Sequence, residues 1–102
     1  MATLTRLEPD APPLRTANLE RLESLARALT SRGLHADVVA PPARMPRLQV
    51  AGPGQAEDVY AWRGQDGTWW YWWPWAERIA ATEELATAVD LIEHALTPVT
   101  SC

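Results

Sequence analysis

The chain has 102 residues, 47% of them hydrophobic, and a formal net charge of −4: enough for one domain with one core and too little for two. Its nine basic residues are all arginine against thirteen acids, so no cationic stripe is available to follow a phosphate backbone, and nucleic-acid binding as the main activity is disfavoured. The single cysteine, Cys102, excludes an internal disulfide and a cysteine-based zinc cluster, and a reducing, cytoplasmic setting is the expectation.

Residues 1–15 carry Pro9, Pro12 and Pro13 with little periodic apolarity, and read as a mobile or loosely docked lead-in to a single domain over 16–98, with 99–102 as a tail. The lead-in lacks the apolar core of a signal peptide, and no stretch approaches the ~18 apolar residues of a membrane span. A helix is predicted from Asn18 to Arg32, because Leu19, Leu22, Leu25, Ala26 and Leu29 recur at three- and four-residue spacing opposite Glu20, Arg21, Glu23, Ser24 and Arg27. Thr16 or Asn18 can cap its start. Arg32-Gly33-Leu34 supplies a Schellman ending: a cation, a glycine for the left-handed position and an apolar residue to close the contact.

Four strands are then predicted, His35–Val39, Arg47–Ala51, Asp58–Arg63 and Thr68–Trp75, joined by links rich in proline and glycine. Short links of this kind favour an antiparallel meander over parallel crossovers. A final helix, Glu83–Leu96, is predicted to be capped by Thr82, to place Glu83 and Glu84 at the positive end of its dipole, and to bury Leu85, Val89, Ile92 and Leu96 before Pro98 stops it. The expected fold is therefore α+β, a two-layer sandwich in which both helices cover one face of a four-stranded antiparallel meander, in the order α-β-β-β-β-α. The second face is left bare.

The densest signal lies in the last predicted strand. Thr68-Trp69-Trp70-Tyr71-Trp72-Trp73-Pro74-Trp75 holds five of the six tryptophans in eight residues, and strand side chains alternate between faces, so only one set of rings can enter the core. If Gln65-Asp66-Gly67 forms a three-residue loop, a type I turn followed by a left-handed glycine, then Trp62 opposes Trp70 and Tyr60 opposes Trp72. On this register Trp69, Tyr71, Trp73 and Trp75 join Val59, Ala61, Ala36, Val38, Leu48 and Val50 beneath the helices. Tyr60, Trp62, Trp70 and Trp72 then form an aromatic patch on the bare face, beside polar His35, Asp37, Arg47 and Gln49. A one-residue slip would exchange the two sets.

Each large aromatic buries roughly 150–250 Å², at most about 4–6 kcal/mol at ~25 cal/mol per Å². Leaving several exposed forfeits a large part of a domain's stability, which makes association the expected remedy. Four readings of the patch follow from the residues: cover by the lead-in or the Met45 loop, pairing of two copies, docking of another protein, or a stacking platform for a small molecule with Arg47, Arg63 and Gln49 as polar groups. Pairing of copies could use the sheet face or the outer edge of the fourth strand.

Catalytic signals are sparse. His35 and His94 have no second ligand at metal spacing, and Glu57, Asp58, Asp66 and Glu77 flank turns rather than forming a carboxylate pair in one motif. Gly52-Pro53-Gly54 lacks the strand-to-helix setting of a phosphate loop and reads as a turn. Cys102 reads as an exposed terminal thiol. The chain is accordingly predicted to be a non-enzymatic interaction domain without cofactor or metal, self-associating or docking a partner through Tyr60, Trp62, Trp70 and Trp72. A small-molecule binder or enzyme using the same surface is the alternative.

Arg32-Gly33-Leu34, Val38-Val39 with Pro41-Pro42, Glu57-Asp58-Val59-Tyr60, Asp66-Gly67, the tryptophan run and Trp75-Ala76-Glu77-Arg78-Ile79 together resemble small tryptophan-rich hypothetical proteins of actinobacteria, over residues 19–96. A genome of high G+C content agrees with the absence of lysine and phenylalanine beside abundant alanine, arginine and proline. The resemblance implies a companion of helix-turn-helix regulators or of other small signalling factors, and hence a binding module; it supplies no site residue.

Overall fold

The computed structural model describes residues 12–97. The element order is α1 (Pro12–Ser31), β1 (His35–Val39), β2 (Arg47–Ala51), β3 (Ala56–Arg63), β4 (Trp69–Trp72), β5 (Arg78–Ala81) and α2 (Leu85–Leu96). All strand pairs are antiparallel and lie in chain order, so the fold is α+β with a five-stranded meander. The four-strand expectation is corrected by β5. Arg78–Ala81 escapes a propensity reading because it holds one β-branched residue and two alanines, and its strand state comes from pairing with β4.

Helix α1 reaches back to Pro12, ahead of the predicted start at Asn18, and proline suits a first helical turn because the N–H it lacks has no partner there. Asn18 lies within the helix and does not cap it. The Schellman ending forms as the residues predict: Leu34 N–H donates to the Leu29 carbonyl at 3.1 Å, Gly33 N–H to Thr30 at 2.9 Å, and Gly33 has φ +92°. At α2 the N-cap position falls on Glu84, without a side-chain cap, so Thr82 does not take that role. Thr82 N–H instead donates to the Trp69 carbonyl at 3.0 Å and prolongs the β4–β5 ladder.

The core lies between the helices and one sheet face, with Leu22, Leu25 and Leu29 of α1 and Val89, Ile92 and Leu96 of α2 set against Leu48, Val50, Val59, Ala61 and Tyr71. Ala36, Val38 and Leu85 pack against it half-buried. Arg32 ties the helices together at their exposed side, reaching Asp90 at 3.0 Å and Glu93 at 2.6 Å. Both carboxylates raise its already high pKa, first through the hydrogen bond with Asp90.

Two consecutive hairpins use the same loop. Between β3 and β4, Gly64 N–H donates to Thr68, Gly67 N–H donates to Gly64, and Gly67 is left-handed at φ +85°. Between β4 and β5, Trp73 N–H donates to Glu77, Ala76 N–H donates to Trp73, and Ala76 sits at φ +68°. Each is a type I turn followed by a left-handed residue, with Pro74 at the turn position that favours its fixed φ. The second loop carries alanine where the first carries glycine, which removed the usual turn signal from the sequence.

Candidate functional site

The first hairpin takes the three-residue-loop register, one of the two that the sequence leaves open, with Tyr60 opposite Trp72 and Trp62 opposite Trp70. Its Asp66 carboxylate accepts the Thr68 N–H at 3.0 Å, and that bond holds it below the usual aspartate range. Val59, Ala61 and Tyr71 are buried beneath the helices, whereas Tyr60, Trp62, Trp70 and Trp72 are half-buried at outer-face positions, the Trp62 ring also meeting Trp69 edge-on with centres 6.0 Å apart. The four predicted site residues are thus adjacent across two strands. Trp72 Nε1 donates to the Trp62 carbonyl at 3.2 Å, which fixes one ring against the neighbouring strand.

The rings expected inside divide. Tyr71 is 1% exposed and its hydroxyl donates to the Arg21 carbonyl at 2.8 Å. Burial pushes its pKa up to about 12, against the opposing effect of the Arg21 charge. Trp69 and Trp73 are half-buried against the core, Trp69 beneath the Arg21 guanidinium at 4.3 Å. Trp75 is 58% exposed, which corrects its assignment to the core. The chain turns at Pro74-Trp75-Ala76, so strand alternation no longer applies to Trp75. It stacks on Trp73 with ring centres 5.4 Å apart, and its Nε1 donates to Glu77 at 2.8 Å.

Arginine completes the outer face. Arg78 lies 4.6 Å from the Trp70 ring and 5.6 Å from the Trp72 ring, and Arg63 lies 5.4 Å from the Trp62 ring. Arg78 could not be assigned from the sequence, because its place depends on β5. A β-bulge between Tyr71 and Trp72 sets Arg78 opposite Trp72 and leaves Ile79 unpaired, turned inward beside Ala80. An open groove of about 460 Å³ runs along Tyr60, Trp62, Trp72, Trp73, Pro74 and Met45. Arg63 also borders it, and its guanidinium and the Tyr60 phenol are the titratable groups among the described lining residues.

The remaining sequence candidates lie apart from the rings. Arg47 pairs with Asp58 at 3.6 Å, Gln49 is exposed on β2, His35 opens β1 and His94 lies in the last turn of α2. Gly52 closes the β2–β3 turn, its N–H donating to the Gln55 carbonyl at 2.8 Å. Among the described residues no three His, Cys, Asp or Glu side chains are grouped to hold a metal, and no helix is long and apolar enough to cross a membrane. Cys102 lies outside the described residues. The outer edge of β4, one of the association surfaces the sequence suggests, is occupied by β5.

A second depression, about 440 Å³, lies where α1, the 40–46 loop and β3 meet, and is lined by Arg15, Asn18, Arg44, Met45, Pro46 and Trp62. Arg15 ties the loop to α1 by donating to the carbonyls of Arg44 at 3.0 Å and Pro41 at 2.8 Å. No protein-family model, curated protein or solved structure matches this chain.

Proposed function

We propose that the chain is a non-enzymatic interaction domain that pairs with a second copy of itself through the outer sheet face. The observation that carries this reading is the seating of arginine on tryptophan there, Arg78 on Trp70 and Trp72, and Arg63 on Trp62. Tryptophan, tyrosine and arginine dominate the energetically important positions of protein interfaces, and rings already held by cations and by the Trp72 bond lose little further freedom on docking.

A second copy is favoured because the face is bipolar. Asp58 is two residues from Tyr60 and so shares its face, Gln49 opposes Asp58, and Asp37 opposes Gln49. One half of the face therefore carries Asp37 and Asp58, the latter paired with Arg47, and is net acidic, whereas the other carries the rings with Arg63 and Arg78. A two-fold axis near β3 sets the acidic half of each copy on the cationic half of the other.

Charge reversal tests the pairing. Sedimentation velocity at micromolar concentration is expected to give a dimer for the wild type and monomers for Asp37→Arg and for Arg78→Glu. An equimolar mixture of the two variants regains both complementary contacts and is expected to dimerise. A monomeric wild type, or dimers indifferent to both reversals, would overturn the reading.

A further inference from the structure

We infer that the cleft between α1, the 40–46 loop and β3 is a binding site for a small organic anion with a planar apolar body. The inference goes beyond pairing through the outer face: Arg15, Asn18 and Arg44 take no part in it, although Met45 and Trp62 border both surfaces.

The cleft exists because β2 is shorter than β3. Strand β2 pairs with β3 only as far as Val59, and β4 pairs with β3 from Tyr60 onward, so the far end of β3 has a strand on one side alone. Helix α1 and the 40–46 loop close over the other side without filling it, leaving about 440 Å³, within the usual range of small-molecule sites.

The lining has a definite chemistry. Met45, Pro46 and Trp62 give apolar and aromatic walls, and Arg15, held by the Arg44 and Pro41 carbonyls, and Arg44 are the charged residues of the described lining, with no carboxylate among them. In a chain of net charge −4 this is a local concentration of positive charge. Among the described residues, Arg32 and Arg47 hold carboxylates, Arg21, Arg63 and Arg78 lie on tryptophans, and Arg15 and Arg27 reach oxygen acceptors. Arg44 alone among them has its guanidinium on none of these. A guanidinium fork matches a carboxylate or sulfonate in two parallel hydrogen bonds.

Asn18 gives an independent sign. It is 1% exposed, its Nδ2 is committed to the Ala61 carbonyl at 2.8 Å, and its Oδ1 has no donor among the described residues. Buried amide oxygens are nearly always satisfied, and this one, closed off from solvent in a residue that lines the cleft, is met by a ligand N–H or O–H once a small shift of the wall admits it. The class is thus an aromatic or similarly flat acid bearing a donor, stacked on Trp62 with its anionic group at Arg44.

The probe is 8-anilinonaphthalene-1-sulfonate, with uncharged N-phenyl-1-naphthylamine as the same ring system without the anion. The sulfonate is expected to bind one per chain and to quench tryptophan emission, with Arg44→Gln weakening it about tenfold and Arg44→Lys restoring part of the loss. Binding of the neutral probe should be weaker and indifferent to Arg44→Gln. Arg44 is exposed on a loop, so these variants are expected to fold, and their sedimentation should match the wild type whether or not the outer face pairs. Equal affinity of the sulfonate for wild type and Arg44→Gln would overturn the inference. So would loss of sulfonate binding on Trp72→Ser while Arg44→Gln leaves it intact, since the probe would then be on the outer face.

Discussion

Asn18 of α1 and Ala61 of β3 are joined by a 2.8 Å hydrogen bond across 43 residues of sequence, and the bond stands where a strand would otherwise be. Gly64 and Thr68 are bonded across the hairpin, so by alternation Trp62 and Trp70 are too, and Ala61 directs its carbonyl toward the side that β2 has left. Asn18→Ala leaves that buried carbonyl without its donor. The expected cost is about 1–3 kcal/mol, read as a lower urea midpoint with an unchanged slope.

The two matching hairpin loops predict opposite responses to exchanging alanine and glycine. Ala76→Gly relieves a left-handed alanine and is expected to raise stability by about 0.5–1 kcal/mol. Gly67→Ala introduces the same strain and is expected to lower it by about 1–2 kcal/mol, although its added methyl group meets nothing within 4 Å. Thermal unfolding of both variants checks the pair.

Tyr71 makes stability depend on alkaline pH. Its folded pKa of about 12 lies above the ordinary value of 10.0, so the folded chain keeps a proton that the unfolded chain loses. Stability from this group is complete below about pH 10 and falls between about pH 10 and 12, by at most about 1.4 kcal/mol per pH unit. Denaturation midpoints across that window should fall for the wild type more steeply than for Tyr71→Phe.

Trp75 and Tyr71 separate a surface ring from a core ring within one aromatic run. Tyr71→Ala is expected to cost about 3–5 kcal/mol, as for other large core aromatics. Trp75→Ala loses one stack on Trp73 and an exposed hydrogen bond to Glu77, and is expected to cost under about 1.5 kcal/mol. Equilibrium urea unfolding distinguishes them, and equal costs would contradict the exposed position of Trp75.

Features that rest on neighbours in the chain were legible before the structure. The α1 ending at Arg32-Gly33-Leu34 depends on one left-handed glycine and bonds spanning five residues, and it formed as read. The Gly64–Thr68 loop is equally local, and from it follow the facing pairs Tyr60 with Trp72 and Trp62 with Trp70. That loop also sorted Tyr71 from Trp70 and Trp72, because alternation along a strand needs no knowledge of the partner sheet.

Features that rest on distant partners were not. Alternation was carried through Trp73 to Trp75, but Ala76 turns the chain without glycine, and the five-residue bond pattern that allows it is completed only by β5. Arg78 reaches Trp70 and Trp72 for the same reason. Asn18 read as a capping residue because its side chain competes locally with the backbone, yet packing placed it mid-helix against the free edge of β3. Local dihedral preference and periodicity were enough to give the helices, the central strands and, beside the Gly64–Thr68 loop, the faces of Tyr60, Trp62, Trp70, Tyr71 and Trp72. Only the tertiary structure decided the fifth strand, the exposure of Trp75, the arginines on the outer face and the cleft beside Asn18, since each depends on which segments, far apart in the chain, come to share an edge.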